Sequence, residues 1–110
     1  MILAETPEET ALRLGAARGY SYTEWEFLAE KETVFIEAYN RLSGLGLLHE
    51  GVSTEGKELP AKYRELVAIG AMIGQSRMWG VKAHMERALR VGCSPQEILE
   101  ALEAALIPVG

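Results

Sequence analysis

Apolar residues recur at helical spacing between Thr23 and about Ser43, where Trp25, Leu28, Phe35, Tyr39 and Leu42 fall on one stripe. Glu32 lies on that same stripe, an acid in an otherwise apolar row. Punctuating residues divide the rest of the chain. Thr6-Pro7-Glu8-Glu9 reads as an N-cap, a Pro at the first helical position and a capping-box Glu, opening a short helix that Gly15 or Gly19 closes. Gly44 and Gly46 end the long helix, and His49 to Lys57 carries turn residues without periodicity, a loop. Pro60 opens a third helix running to about Gly74, and Gln75-Ser76 turns the chain. Ser76 caps a fourth helix that ends at Gly92. Ser94-Pro95-Gln96-Glu97 is a second capping box, opening a fifth helix that Pro108 stops. The pattern predicts an all-α protein of about five helices and no strands.

Length and composition narrow this further. The chain has 110 residues, which allows a single domain over 1–110. All 16 acidic residues are Glu; Asp is absent and Asn40 is the one Asn. Glu favours helix, whereas Asp and Asn favour caps and turns, so the acid usage agrees with the helical pattern. A net charge of −5 lacks the basic footprint of a nucleic-acid domain. The longest apolar run, Leu66 to Gly74, is far short of a membrane span, and the N-terminus has no basic region of a signal peptide. One cysteine, Cys93, cannot form an internal disulfide, which fits a reducing, cytoplasmic setting. No nucleotide loop or zinc-ligand spacing is present, so no cofactor or metal is expected. So small a domain buries a modest share of its surface, and homo-oligomerisation is a natural supplement.

The candidate chemistry lies in the third and fourth helices, read as an antiparallel hairpin turning near Gln75. Glu65 precedes that turn by nearly the same rise as His84 follows it, which sets the two side chains level. Each sits in a stripe of small apolar neighbours: Ala61, Ala68 and Ile69 around Glu65; Gly80, Val81 and Ala88 around His84. Facing stripes would pair the acid with the imidazole, with Gly80 leaving room over the ring. Arg77, two turns before His84, adds a cation toward the turn end. A carboxylate that orients a His makes a proton shuttle, and an Arg beside it can hold a substrate carboxylate in a fork geometry. The same pair also serves as a plain structural contact, and Arg77 as a solvated residue. Met72, Met78 and Met85 read as core filler, Cys93 as a small loop thiol, His49 as a solvated loop residue and Glu32 as the margin of an amphipathic helix.

Arg64-Glu65-Leu66-Val67-Ala68, His84, Ala88-Leu89-Arg90-Val91-Gly92 and Ser94-Pro95-Gln96-Glu97-Ile98 together resemble the carboxymuconolactone decarboxylase family, whose superfamily includes the AhpD-type alkylhydroperoxidases. The resemblance covers Leu59 to Gly110, a core preceded by lead-in helices in residues 1–50. It implies an AhpD-like helical fold, a ring-like hexamer or other trimer-based homo-oligomer, and a pocket for a small molecule. AhpD-like members carry a Cys-x-x-Cys couple between the matching Glu and His. Arg77 and Gly80 occupy those positions here, so thiol peroxidase chemistry has no nucleophile. The decarboxylase branch implies His84 as general acid/base, Glu65 as its orienting partner and Arg77 as binder of a carboxylated lactone or related acid. The segment before Leu59 departs from that branch. A catalytically inactive, ligand-binding oligomer is the alternative.

Overall fold

The computed structural model describes residues 5–18 and 23–110. Its helices are α1 (Pro7–Arg18), α2 (Thr23–Lys31), α3 (Thr33–Leu47), α4 (Ala61–Gly74), α5 (Met78–Arg90) and α6 (Pro95–Val109), and no strand occurs among the described residues. The all-α expectation holds, with six helices in place of about five. The chain forms two compact units, Met1–Ser53 and Thr54–Gly110. The division falls inside the loop that lacks periodicity.

In the first unit, the Thr6 capping box is made: the Thr6 hydroxyl accepts from Glu9 N–H at 3.1 Å, and Glu9 Oε2 accepts from Thr6 N–H at 3.4 Å. Gly15 does not close α1, which continues to Arg18; Gly19 lies outside the described residues. The extra helix comes from a break at Glu32, whose backbone leaves the helical region (φ −139°, ψ 56°). A straight helix would have carried this acid inward on the apolar stripe, at the cost of burying an unpaired carboxylate. The break leaves it exposed. Thr33 assists, its hydroxyl donating to the Ala29 carbonyl and so competing with the helical ladder. Beyond the break, Ile36 and Gly44 are the buried positions of α3, while Phe35 and Leu42 point outward at 62% and 68% exposure. The predicted stripe therefore survives only through Trp25 and Leu28, with Tyr39 half-exposed against the Trp25 ring edge. Ala11, Leu14, Trp25, Ala29 and Ile36 form this unit's core.

Neither Gly44 nor Gly46 ends α3. A Cβ on Gly44 would lie 3.5 Å from His49 Nδ1 and 3.7 Å from Val52, so its bareness admits the returning loop. The helix ends instead on Leu48, held left-handed at φ 53°.

The second unit is a hairpin of α4 and α5 with α6 packed on α4. Its core is Ile69, Val81, Ala88, Cys93 and Ile98, with Leu66, Met72, Ile73, Met85 and Leu102 packed against it; Met78 is exposed. Ser76 is not the N-cap of α5. It is the left-handed residue (φ 56°) that closes α4, with Ser76 N–H on the Ile73 carbonyl and Arg77 N–H on the Met72 carbonyl. Arg77 thereby becomes the N-cap position. Gly92 (φ 108°) closes α5 in the same way, with Cys93 N–H on the Ala88 carbonyl. The Ser94–Glu97 capping box is formed, and α6 runs through Pro108 to Val109. Gly80 leaves its room to Met72, whose sulfur would stand 2.9 Å from an added Cβ, and not to the His84 ring.

Candidate functional site

The hairpin brings Glu65 and His84 together. Glu65 is fully buried in the middle of α4, and its Oε2 lies 2.7 Å from Nδ1 of His84, whose side chain keeps 13% of its surface. The level register read from the two arms of the turn is what permits this contact. Glu65 Oε1 is occupied as well, by the guanidinium of Arg87, itself buried. Arg87 stands three residues after His84 and so on the same side of α5. A carboxylate engaged by a guanidinium acts as an acceptor only, so the hydrogen on the Glu65–His84 line belongs to Nδ1. In the neutral imidazole Nε2 is then the ring nitrogen that carries no hydrogen. Glu65 and Arg87 are thus taken out of water together, an arrangement tolerable only because each charge meets its partner.

Arg87 is absent from the residues that the sequence singles out. Its signal was its spacing from His84, but α5 also carries Lys82, Glu86 and Arg90, and periodicity alone does not tell which of them turns inward. Arg77 is not part of the network. It stands exposed at the start of α5, about 10 Å of helix rise before His84.

Beside the network, Cys93 is buried and its thiol donates to the Lys62 carbonyl at 3.3 Å. Burial foremost, with the Glu97 carboxylate second, pushes the thiol pKa upward, the opposite of what a peroxidatic thiolate requires. Lys62 bridges α4 to α6 through Glu97 at 3.2 Å. His49, expected in solvent, is 3% exposed and folded back on α3, in the first unit. Among the described residues, no group of three or more His, Cys or Glu side chains is placed to hold a metal ion, and no helix is long and apolar enough to cross a membrane.

The model of the carboxymuconolactone decarboxylase family matches residues 43–110, reaching further toward the N-terminus than Leu59. A crystal structure from Burkholderia xenovorans LB400, of a protein named as a candidate carboxymuconolactone decarboxylase, superimposes with a TM-score of 0.72 at 23% identity, over 92% of this chain and 74% of that one. At that identity the likeness is one of fold. No curated protein matches the chain.

Proposed function

The chain belongs to the carboxymuconolactone decarboxylase family, and from that premise we propose that it performs non-redox acid–base chemistry, decarboxylation or isomerisation, on a small carboxylated lactone or related acid. The observation that carries the reading is the 2.7 Å contact between a fully buried carboxylate and an imidazole that solvent still reaches. Glu65 fixes the ring and its tautomer. His84 Nε2 delivers or removes the proton: as the lactone loses CO₂, the electron pair left behind is protonated at ring carbon, giving an enol-lactone. Arg77 receives the substrate carboxylate. Thiol peroxidase activity has no support in a buried, hydrogen-bonded Cys93 with a raised pKa.

Exposed apolar side chains on both units, among them Val34, Phe35, Trp79 and Ile107, support self-association, and the family resemblance is what makes the proposed homo-oligomer trimer-based. A second reading draws on Arg87: by also engaging Glu65, it completes a network that would stabilise a ligand-binding oligomer without chemistry.

Incubation with carboxylated lactones in D₂O separates the two. The enzymatic reading expects CO₂ release with one deuteron in the product, and loss of about 10²-fold or more in His84→Ala, the usual weight of a positioned acid–base group. Arg77→Ala should raise KM more than it lowers kcat. Ligand-dependent thermal shifts without CO₂ or deuteration across the series would instead favour the inactive binder.

A further inference from the structure

Arg87 and His84 stand three residues apart on α5 and reach the same acid across the hairpin. Each takes its own oxygen: Arg87 meets Oε1 of Glu65, and His84 Nδ1 meets Oε2. Glu65 is fully buried, so its terminal group cannot exchange these partners for water. It can only turn over in place. For a carboxylate that turn changes nothing, because its two ends are alike. For an amide at the same position the ends differ, and the neighbours decide which end faces which.

The two neighbours have unequal say. A guanidinium carries donors only and keeps its charge, whereas an imidazole nitrogen donates or accepts according to its tautomer. Whatever atom faces Arg87 must therefore accept. The direction of hydrogen bonding is imposed at the Arg87 end and passes through residue 65 to His84. Arg87 lies in the last turn of α5, where the helix C-terminus favours a cation. Arg90 shares that turn but is exposed.

We propose that Arg87 is a positioning residue: acting through Glu65, it sets which nitrogen of His84 carries the hydrogen. Its effect on turnover rests on the acid–base reading of His84, whereas its effect on the tautomer does not.

Glu65→Gln exposes this role, because the change is nearly isosteric and removes the symmetry of the carboxylate. With Arg87 in place, the amide oxygen must face the guanidinium and the amide NH₂ must face Nδ1. That nitrogen then accepts, and the His84 hydrogen moves to Nε2. The double variant Glu65→Gln with Arg87→Met frees the amide to present either end, and neither charge of the buried pair remains to unfold the hairpin. Imidazole ¹⁵N NMR of the whole protein, recorded with the ring neutral, should show His84 as Nε2–H in Glu65→Gln. In the double variant the Nδ1–H form should return, its ratio to Nε2–H at least about tenfold higher, the weight of a hydrogen bond against two opposed donors. Arg90→Met added to Glu65→Gln removes a cation from the same turn and should leave the tautomer as it is in Glu65→Gln.

With carboxylated lactones in D₂O, deuteron incorporation should fall in Glu65→Gln and recover in part in the double variant. A residue that serves the fold alone predicts the reverse order, since the double variant has lost more of the network. Equal tautomer ratios in Glu65→Gln with and without Arg87, or Nδ1–H retained in Glu65→Gln, overturn the proposal. If the parent protein turns over none of the lactones, the acid–base reading fails, while the tautomer ratios still decide the role of Arg87.

Discussion

The two units of this chain hold their charges in opposite ways. In Met1–Ser53 the core cluster is apolar, Thr10 and His49 are the buried polar residues among those described, and the ion pairs Arg13–Glu5 and Arg13–Glu37 lie at the surface with side chains 41–49% exposed. In Thr54–Gly110 a carboxylate and a guanidinium, each at most 5% exposed, sit at the centre of the helical hairpin beside an imidazole. Surface pairs stabilise little because water competes for them, whereas a buried pair is costly to form and costlier to break. The lesson is that the second unit carries its polar network at some expense to stability, the pattern expected where a fold accommodates chemistry.

The largest expected effect breaks that buried network. Glu65→Ala removes the carboxylate that the buried Arg87 engages and should destabilise by about 3–5 kcal/mol in denaturant unfolding, and Arg87→Met should do likewise by leaving Glu65 Oε1 buried without the guanidinium. The double change Glu65→Leu with Arg87→Met should recover most of that loss, since neither charge remains. If the double variant is as unstable as the sum of the singles, the network is not a coupled charge set. Next comes Ser94→Ala, which removes one half of the α6 capping box and should cost about 1 kcal/mol, seen as faster amide exchange in the first turn of α6.

The partner of that box sharpens the pH behaviour. The Ser94 backbone N–H, with the Lys62 ammonium second, holds the Glu97 carboxyl below its ordinary 4.5. A depressed carboxyl contributes stability that is present above its unfolded-state value and lost as pH falls through the lower folded value. Glu97→Gln should therefore be less stable than the parent near neutrality, with the gap narrowing under acid. Ser76→Gly should be a small stabilisation of up to about 1 kcal/mol, because Ser76 is held at φ 56° where glycine has no Cβ penalty. Smallest is Arg13→Ala, worth about 0.2–1 kcal/mol and diminished by added salt, as for exposed pairs generally.

What could be read in the sequence were features in which local chemistry and tertiary structure agree. Both capping boxes, at Thr6 and Ser94, are local devices and formed as spaced. The Glu65–His84 contact follows from helix rise on either side of a turn. The misread positions are those where packing chose among local options. Glu32 breaks a helix because its stripe would have buried it. Gly44 was read as a terminator and proves to be a place where a loop approaches. Ser76 and Leu48 take left-handed backbone that glycine would ordinarily supply, as Gly92 does. Arg87 was hidden among the other charges of α5, since only the packed hairpin tells which cation faces Glu65. Arg77, singled out for standing two turns before His84, lies at the exposed start of α5, away from the network.

The central claim is that Glu65 fixes His84 with its hydrogen on Nδ1, leaving Nε2 as the atom that exchanges protons. Imidazole ¹⁵N NMR of the intact protein, recorded with the His84 ring neutral, reads this directly. The account predicts His84 as the Nδ1–H tautomer, the minor form of free histidine, with a lone-pair signal from Nε2. A hydrogen on Nε2, with Nδ1 as acceptor toward Glu65, would contradict it.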